Sequence, residues 1–356
     1  MKRSLLYCFI ALVCLPLAAC FADVRVEDDL DFQLFAYDLH TPYVVGADVG
    51  LHVSRRDDAS VTGWTVDAGD SAIFEVVPGT LQNDGDDIWV DGLAVAPGET
   101  KLLIYDESGH LETSRAIRVE MPDRIDLVPA GLIKVRGDGA EAVASDEPIR
   151  VLEGGQATFE VQYYKGAERL FGNNALTVTV DDALLEAETD QTYLFENREW
   201  LRLTPDATGI HEISLSVGGS LIATYDVEVV TADVIEGVEI EAEPAGKAEK
   251  DDLLYLLAHA YDDQSRDIWG VDFDWAVDDL AEPGDGDLYY YYYDPDADHV
   301  VSAARNGYSD EMTVFMSDGG VSSSNSIGCN AAGSATGLVA FLLPLLWLGW
   351  RRRSRR

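Results

Sequence analysis

Between residues 23 and 318 apolar side chains return at every second position, and nothing else in the chain constrains its fold as much. Ala157, Phe159, Val161 and Tyr163 alternate with polar neighbours, as do Ile213, Leu215 and Val217, and again Val271, Phe273, Trp275 and Val277. Successive side chains of a strand point to opposite faces, so such a segment buries one face and wets the other, whereas an amphipathic helix needs a period near 3.6. Gly, Pro, Asp and Asn clusters interrupt the runs roughly every 8–15 residues, the spacing of antiparallel sandwiches and not of βαβ units. A helical reading is available only for short stretches such as 250–260, and even there Tyr255, Leu257, His259 and Tyr261 suit one face of a strand. The expectation is an all-β protein.

The alternating segments contain a weak repeat. Trp64-Thr65-Val66-Asp67, Val178-Thr179-Val180-Asp181 and Trp275-Ala276-Val277-Asp278 start 114 and 97 residues apart. A glycine that precedes another alternating run follows each start by 34, 31 and 32 residues: Gly98, Gly209 and Gly307. Units of roughly 90–110 residues with a central-strand aromatic or valine and no cystine resemble bacterial immunoglobulin-like domains. The resemblance implies three tandem immunoglobulin-like β-sandwiches, 21–121, 122–232 and 233–318, cut at "MPDR" and at "ADVIEG". Trp64 and Trp275 are the expected core aromatics, and the middle unit, with Val178 in their place, is the least typical.

The two ends follow a different logic. "MKRSLLYCFIALVCLPLAAC" (1–20) opens with Lys2 and Arg3, runs apolar from Leu5 to about Leu17 and closes on small residues before Cys20, the layout of a secretory signal peptide. The run is shorter than the ~20 residues a membrane span needs. Leu17-Ala18-Ala19-Cys20 resembles the bacterial lipobox, which implies that signal peptidase cleaves before Cys20 and that its thiol carries a diacylglycerol. Ordinary cleavage after Ala22, with Cys20 discarded, is the competing reading. Phe21 is not the aspartate that retains some lipoproteins at the inner membrane, so the resemblance points to the outer membrane or cell surface.

From Ala331 to Trp350 no residue is charged, enough for one transmembrane helix across a bilayer core of about 30 Å. Trp347 and Trp350 lie beside the arginines of 351–356, which set that tail in the cytoplasm. Gly328-Cys329, a small-residue spacer, the helix and the arginines together resemble the myxobacterial C-terminal sorting signal, MYXO-CTERM. The resemblance implies that a sorting protease removes the helix and that the Cys329 end is displayed at the surface; a plain single-pass membrane anchor is the alternative. A Ser-rich linker, 319–330, containing the sorting cysteine separates the last unit from the helix.

Charge narrows the partners. The chain has 25 basic and 65 acidic side chains, a formal net of -40, and without the basic residues of the two ends 18 face the same 65. Such a surface repels nucleic acid and anionic headgroups and attracts cations and basic partners. Cys8 and Cys14 fall in the signal segment, so no disulfide framework is available to the folded units.

No catalytic constellation emerges, and the chain is expected not to be an enzyme. His40, His52, His110, His211, His259 and His299 are scattered, without an HExxH or paired zinc spacing, and there is neither a GxSxG elbow nor a P-loop. Residues 137–142 fit GxGxxA, but the next segment, "VASDEPIRVLEGG" (143–155), reads as turn and strand where a dinucleotide site needs a helix N-terminus.

Two candidate sites lie in "EPGDGDLYYYYYDPDADH" (282–299). As a strand it sets Tyr289, Tyr291 and Tyr293 on one face and Tyr290 and Tyr292 on the other, so one aromatic row is a contact surface for carbohydrate or protein unless a neighbour covers it. The bland alternative is a Tyr-rich sandwich strand. Asp285, Asp287, Asp294, Asp296 and Asp298 lie on turns beside it and offer oxygens to a calcium ion, which takes six to eight. The 294–298 spacing starts like an EF-hand loop but places His299 where glycine is needed and Arg305 where the bidentate glutamate belongs. A solvated acidic turn is the alternative. The function expected is that of an envelope-anchored surface protein with a structural, adhesive or spacer role. The other readings are a calcium-assisted receptor for an extracellular protein or glycan, and an envelope enzyme.

Overall fold

A computed structural model describes residues 24–30, 39–180, 185–190, 198–242, 253–284, 286–292, 298–314 and 323–326. Their strands form six sheets in three facing pairs, so the fold is all-β, three immunoglobulin-like sandwiches in tandem. In the first pair, β1 (Val24–Asp28), β3 (Asp48–Arg55), β7 (Asp87–Ala94) and β5 (Phe74–Val76) lie in that order, with β6 (Gln82–Asn83) also on β7. The facing sheet runs β2 (Tyr43–Val44), β9 (Leu111–Glu120), β8 (Gly98–Tyr105), β4 (Thr65–Ala68). This is the A-B-E-D sheet against the G-F-C sheet of an immunoglobulin fold, with β2 added parallel to β9.

The second sandwich repeats the arrangement. One sheet is β10 (Arg124–Pro129), β12 (Ala157–Lys165), β16 (Trp200–Pro205), β15 (Leu185–Asp190), with β13 (Glu168–Leu170) on β12. The other is β11 (Ile149–Leu152), β18 (Ser220–Val230), β17 (Gly209–Val217), β14 (Leu176–Val180), and β11 is again parallel to its neighbour. In the third, β19 (Gly237–Ala242), β21 (Asp267–Ile268) and β24 (Leu288–Tyr292) all pair with β20 (Leu253–Tyr261). They face β23 (Leu280–Glu282), β22 (Asp274–Val277), β25 (His299–Arg305), β26 (Tyr308–Val314) and β27 (Ser323–Ser326), in that order.

The alternation read in the sequence becomes the inner faces. Ala157, Phe159, Val161 and Tyr163 of β12 are all buried, as are Ile213, Leu215 and Val217 of β17. Trp64, just before the C-type strand β4, and Trp275, in the C-type strand β22, are core residues, 7% and 2% exposed. Val178 of β14 is only half-buried, packed against the core to which β12 contributes Phe159 and Tyr163.

Three expectations need correction. The interval to a following glycine is not a true repeat in the third unit. The motif strands β4 and β14 pair with β8 and β17, which open at Gly98 and Gly209, but β22 pairs with β25, which opens at His299. Gly307 sits instead in the turn between β25 and β26. Residue counts matched there, hydrogen-bond partners did not.

The second correction is a helix, α1 (Ala130–Arg136), inserted after β10. Its Leu132 and Val135 pack on Leu257 and Leu288 in a separate small cluster, covering the outer face of the third unit's β20 sheet. Leu257 is therefore buried together with Leu254, Leu256, Ala258 and Ala260 of the opposite face. Gly137–Gly139 follow the helix as a 3-10 turn, so the glycines stand at its C-terminal end, where no phosphate cradle forms.

Third, the Ser-rich stretch is not linker throughout, because Ser323–Ser326 pair with Glu311–Val314 as the edge strand β27. Unsatisfied N–H and C=O groups along β26 give even a polar segment a backbone reason to add on. Among the described residues no helix is long and apolar enough to cross a membrane; 331–350 lies outside them.

Candidate functional site

Cys20, Gly328 and Cys329, the residues expected to carry lipid and sorting chemistry, lie outside the described residues, as do Tyr293, Asp285, Asp294 and Asp296. The tyrosine row, by contrast, is overturned where it can be seen. Tyr289 and Tyr291 are 8% and 6% exposed and belong to the third sandwich's core, Tyr289 stacked at 5.4 Å on Trp275. The physical reason is pairing. β24 is held on β20 along its whole length and turns these rings toward β22, so they offer no contact surface.

Asp287 and Asp298 are described, one just before β24 and the other just before β25. Asp287 precedes β24, while the ring of His299, next to Asp298, lies 5.9 Å from that of Tyr291 near the other end of the strand. Among the described residues no group of three or more His, Cys, Asp or Glu is placed to hold a metal.

What the structure does build is at the two junctions between sandwiches, which sequence reasoning missed. Only residues 121–123 separate β9 from β10. Across this junction Val44 N–H donates to Phe171 C=O at 2.8 Å, Phe171 N–H to Pro42 C=O at 2.9 Å and Asp48 N–H to Asn173 C=O at 2.8 Å. Asn174 Nδ2 donates to Asp48 at 2.7 Å, and Arg118 pairs with Glu168. The approach leaves no room for a side chain at Gly172, where a Cβ would lie 2.2 Å from that of Ala47. Buried residues from Val24 to Val229 form one contiguous cluster through both sandwiches.

The loop that reaches across is fixed from behind by a buried carboxylate. Glu199, 3% exposed, accepts from Tyr163 Oη at 2.5 Å and from the N–H groups of Ala175 and Leu176. Burial raises its pKa despite those donors, and burial likewise holds the Tyr163 phenol well above its usual range.

At the second junction β11 bonds to the next sandwich through its backbone, Leu152 N–H to Trp269 C=O at 3.0 Å and Trp269 N–H to Arg150 C=O at 2.9 Å. Arg150, 6% exposed, donates Nη1 to Asp262 at 2.5 Å and Nε to Glu228 at 2.9 Å. Burial pushes the Asp262 carboxyl up, but the N–H and guanidinium of Arg266 and the N–H of Gln264 outweigh it and hold the pKa at about 2. A Cβ on Gly155 would lie 2.0 Å from Gly270 C=O. Leu152 and Val230, from the middle sandwich, are part of the third one's core.

An open groove of about 610 Å³ runs beside this junction, lined by Arg136, Glu241, His259 and Asp267 among others. Its polar groups are turned on one another. Glu241 accepts two guanidinium bonds from Arg136 at 2.7 and 2.6 Å and lies 3.3 Å from His259 Nε2. His259 first and Arg136 next lower its pKa to about 2 against partial burial, while burial raises that of Asp267. The cluster latches α1 to β19 and β20.

No family model matches the chain, and no curated protein matches it. Among solved structures it is similar to domains 4–9 of the surface layer protein SbsC, with a TM-score of 0.34 and 12% identity over 85% of this chain and 47% of that one. The chain thus spans about half of that structure's length. It is also similar to the Escherichia coli adhesin FdeC (TM-score 0.23, 13% identity, 85% of this chain and 96% of that one). A third similarity is to invasin, a bacterial integrin-binding protein (0.24, 10%, 82% and 58%). Strand order within the sheets, and not these likenesses, assigns the fold.

Proposed function

We propose that the chain is a stiff surface scaffold of a bacterial envelope, holding an adhesive or structural face at a fixed distance from its anchor. The observation that carries this reading is the pair of junctions. Sandwiches joined only by flexible linkers move freely against one another. Here main-chain pairing, shared core and glycines without clearance resist bending at both joints, and a buried ion pair adds to the second. In a spacer such joints are the functional part. The test uses spin labels at Glu112→Cys and Asp279→Cys, exposed positions in the first and third sandwiches, with the native cysteines replaced by serine. A single narrow distance distribution is expected; a broad one would show independent units and remove the scaffold role.

The anchor is part of the same proposal. The lipobox-like Leu17-Ala18-Ala19-Cys20 supports acylation at Cys20, and Gly328-Cys329 before an apolar stretch and arginines supports processing near Cys329. Intact mass of the mature protein should show a diacylglycerol at the N-terminus, absent from Cys20→Ser, and no peptides from 331–350. Material starting at Asp23 without lipid, or keeping 331–350 in stoichiometric amount, contradicts the respective end.

A further inference from the structure

One large aromatic breaks the inside-outside rule of its strand. In β7, Ile88 and Val90 point into the first sandwich, and Asp87, Trp89 and Asp91 take the outer phase, with Trp89 50% exposed. Strand register sets it in a transverse row: Glu27 of β1 faces His52 of β3, His52 faces Trp89, and Trp89 faces Gln82 of β6. The indole is held in place. The His52 ring stacks on it at 4.1 Å and 20°, and His52 Nε2 is in turn bonded to Asp87 at 2.8 Å. Glu27 lies 3.8 Å from His52 Nδ1, and beside the row Asp84 accepts the N–H groups of Asp86 and Asp87, which lower its pKa and keep it ionised.

We propose that this row is a binding site for an arginine-bearing segment of a partner protein. An exposed indole attracts a cation over its face through the ring quadrupole, and guanidinium, planar and weakly hydrated, stacks better than ammonium. Glu27 and Asp87, both against His52, and Asp91, two residues on in the same outer phase as Trp89, supply acceptors that a guanidinium fork can engage. Charge complementarity favours this occupant over an oligosaccharide, whose neutral hydroxyls can donate to carboxylates but gain no net charge attraction from the acidic surroundings. The site concerns contact with a partner and is independent of both the anchor and the stiffness of the junctions.

The test is fluorescence anisotropy of a labelled peptide, Gly-Arg-Gly-Arg-Gly-Arg, titrated with the full chain in detergent. Trp89→Ala leaves the net charge unchanged, so it separates the ring from diffuse attraction to an acidic surface. The variant should bind about fivefold more weakly or worse, with Trp89→Phe in between and the lysine counterpart of the peptide weaker on wild type. Glu27→Gln combined with Asp91→Asn should weaken binding further and flatten its salt dependence. Equal affinity of wild type and Trp89→Ala overturns the site, as does absence of binding. So does a neutral oligosaccharide whose binding depends on Trp89 while the peptide's does not. Circular dichroism checks each variant, and should Trp89→Ala not fold, Trp89→Phe and the carboxylate pair decide. Failure here leaves the spin-label distances, and the scaffold reading, untouched.

Discussion

Trp275→Ala should destabilise the third sandwich by about 3–5 kcal/mol, the usual range for removing a large buried aromatic. The indole is 2% exposed and is gripped from several sides: Tyr289 stacks on it at 5.4 Å, Phe273 meets it edge-on at 6.4 Å, and its Nε1 donates to Gly286 C=O at 3.2 Å. Relaxation cannot close the hole cheaply, because β24 and β22 belong to opposite sheets held by their own ladders. On the other side Gly284 abuts the ring so closely that a Cβ there would lie 2.2 Å from Trp275 Cδ1, so that loop too is shaped around the indole. For a domain of this size the loss should lower the third sandwich's melting temperature by about 12 °C or more. Calorimetry checks it, with Trp275→Phe as the milder control that keeps the stack and loses the hydrogen bond. An alanine variant melting within a few degrees of wild type would mean that the C-type strand is not the keystone of this core.

Period-two alternation was legible where a sheet wets one face. β12 reads as a strand in isolation, since Ala157, Phe159, Val161 and Tyr163 share one face and the intervening Thr158, Glu160 and Gln162 are polar. The helix α1 was not legible. Seven residues make barely two turns, too few to show a 3.6-residue period, and Leu132 and Val135 alone, three apart, also fit a run of strand. Its covering role extends to Leu257, which does share a strand face with Tyr255 and His259, but α1 makes that face a second buried surface. The tyrosine row failed for a related reason, as sequence shows which residues share a face but not what lies over it. The junctions were least accessible of all. Arg150 and Asp262 are 112 residues apart, and nothing local distinguishes them from other charged residues in an acidic chain. Trp89 could have been found: an indole in the polar phase of an alternating strand, between two aspartates, is visible in "DIWVD".

Removing the Arg150 guanidinium tests whether the second junction is held by charge or only by backbone. Arg150→Met keeps most of the apolar stem and deletes the bonds to Asp262 and Glu228. Breaking a buried pair by taking one partner usually costs about 3–5 kcal/mol, because the other charge is left in a poor solvent. Asp262 is 4% exposed but keeps Arg266, whose Nε and Nη2 donate to it at 2.9 and 2.7 Å, so the lower end, about 3 kcal/mol, is expected. The Leu152 and Trp269 backbone bonds remain, but the side chain that spans them is gone, so the distance distribution between the first and third sandwiches should broaden. Acid provides an independent check. The Asp262 pKa, held at about 2, lies below the ordinary aspartate value of 3.8, so the stability it contributes is full above 3.8 and is lost as pH falls toward 2. Arg150→Met removes part of that depression and should shrink the acid-dependent loss, and Asp262→Asn should abolish this group's share of it. In a double-mutant cycle the two changes should be less than additive, since each removes the same contact. Full additivity, with the junction still narrow, would leave the backbone bonds and the two glycines as the parts that stiffen the joint.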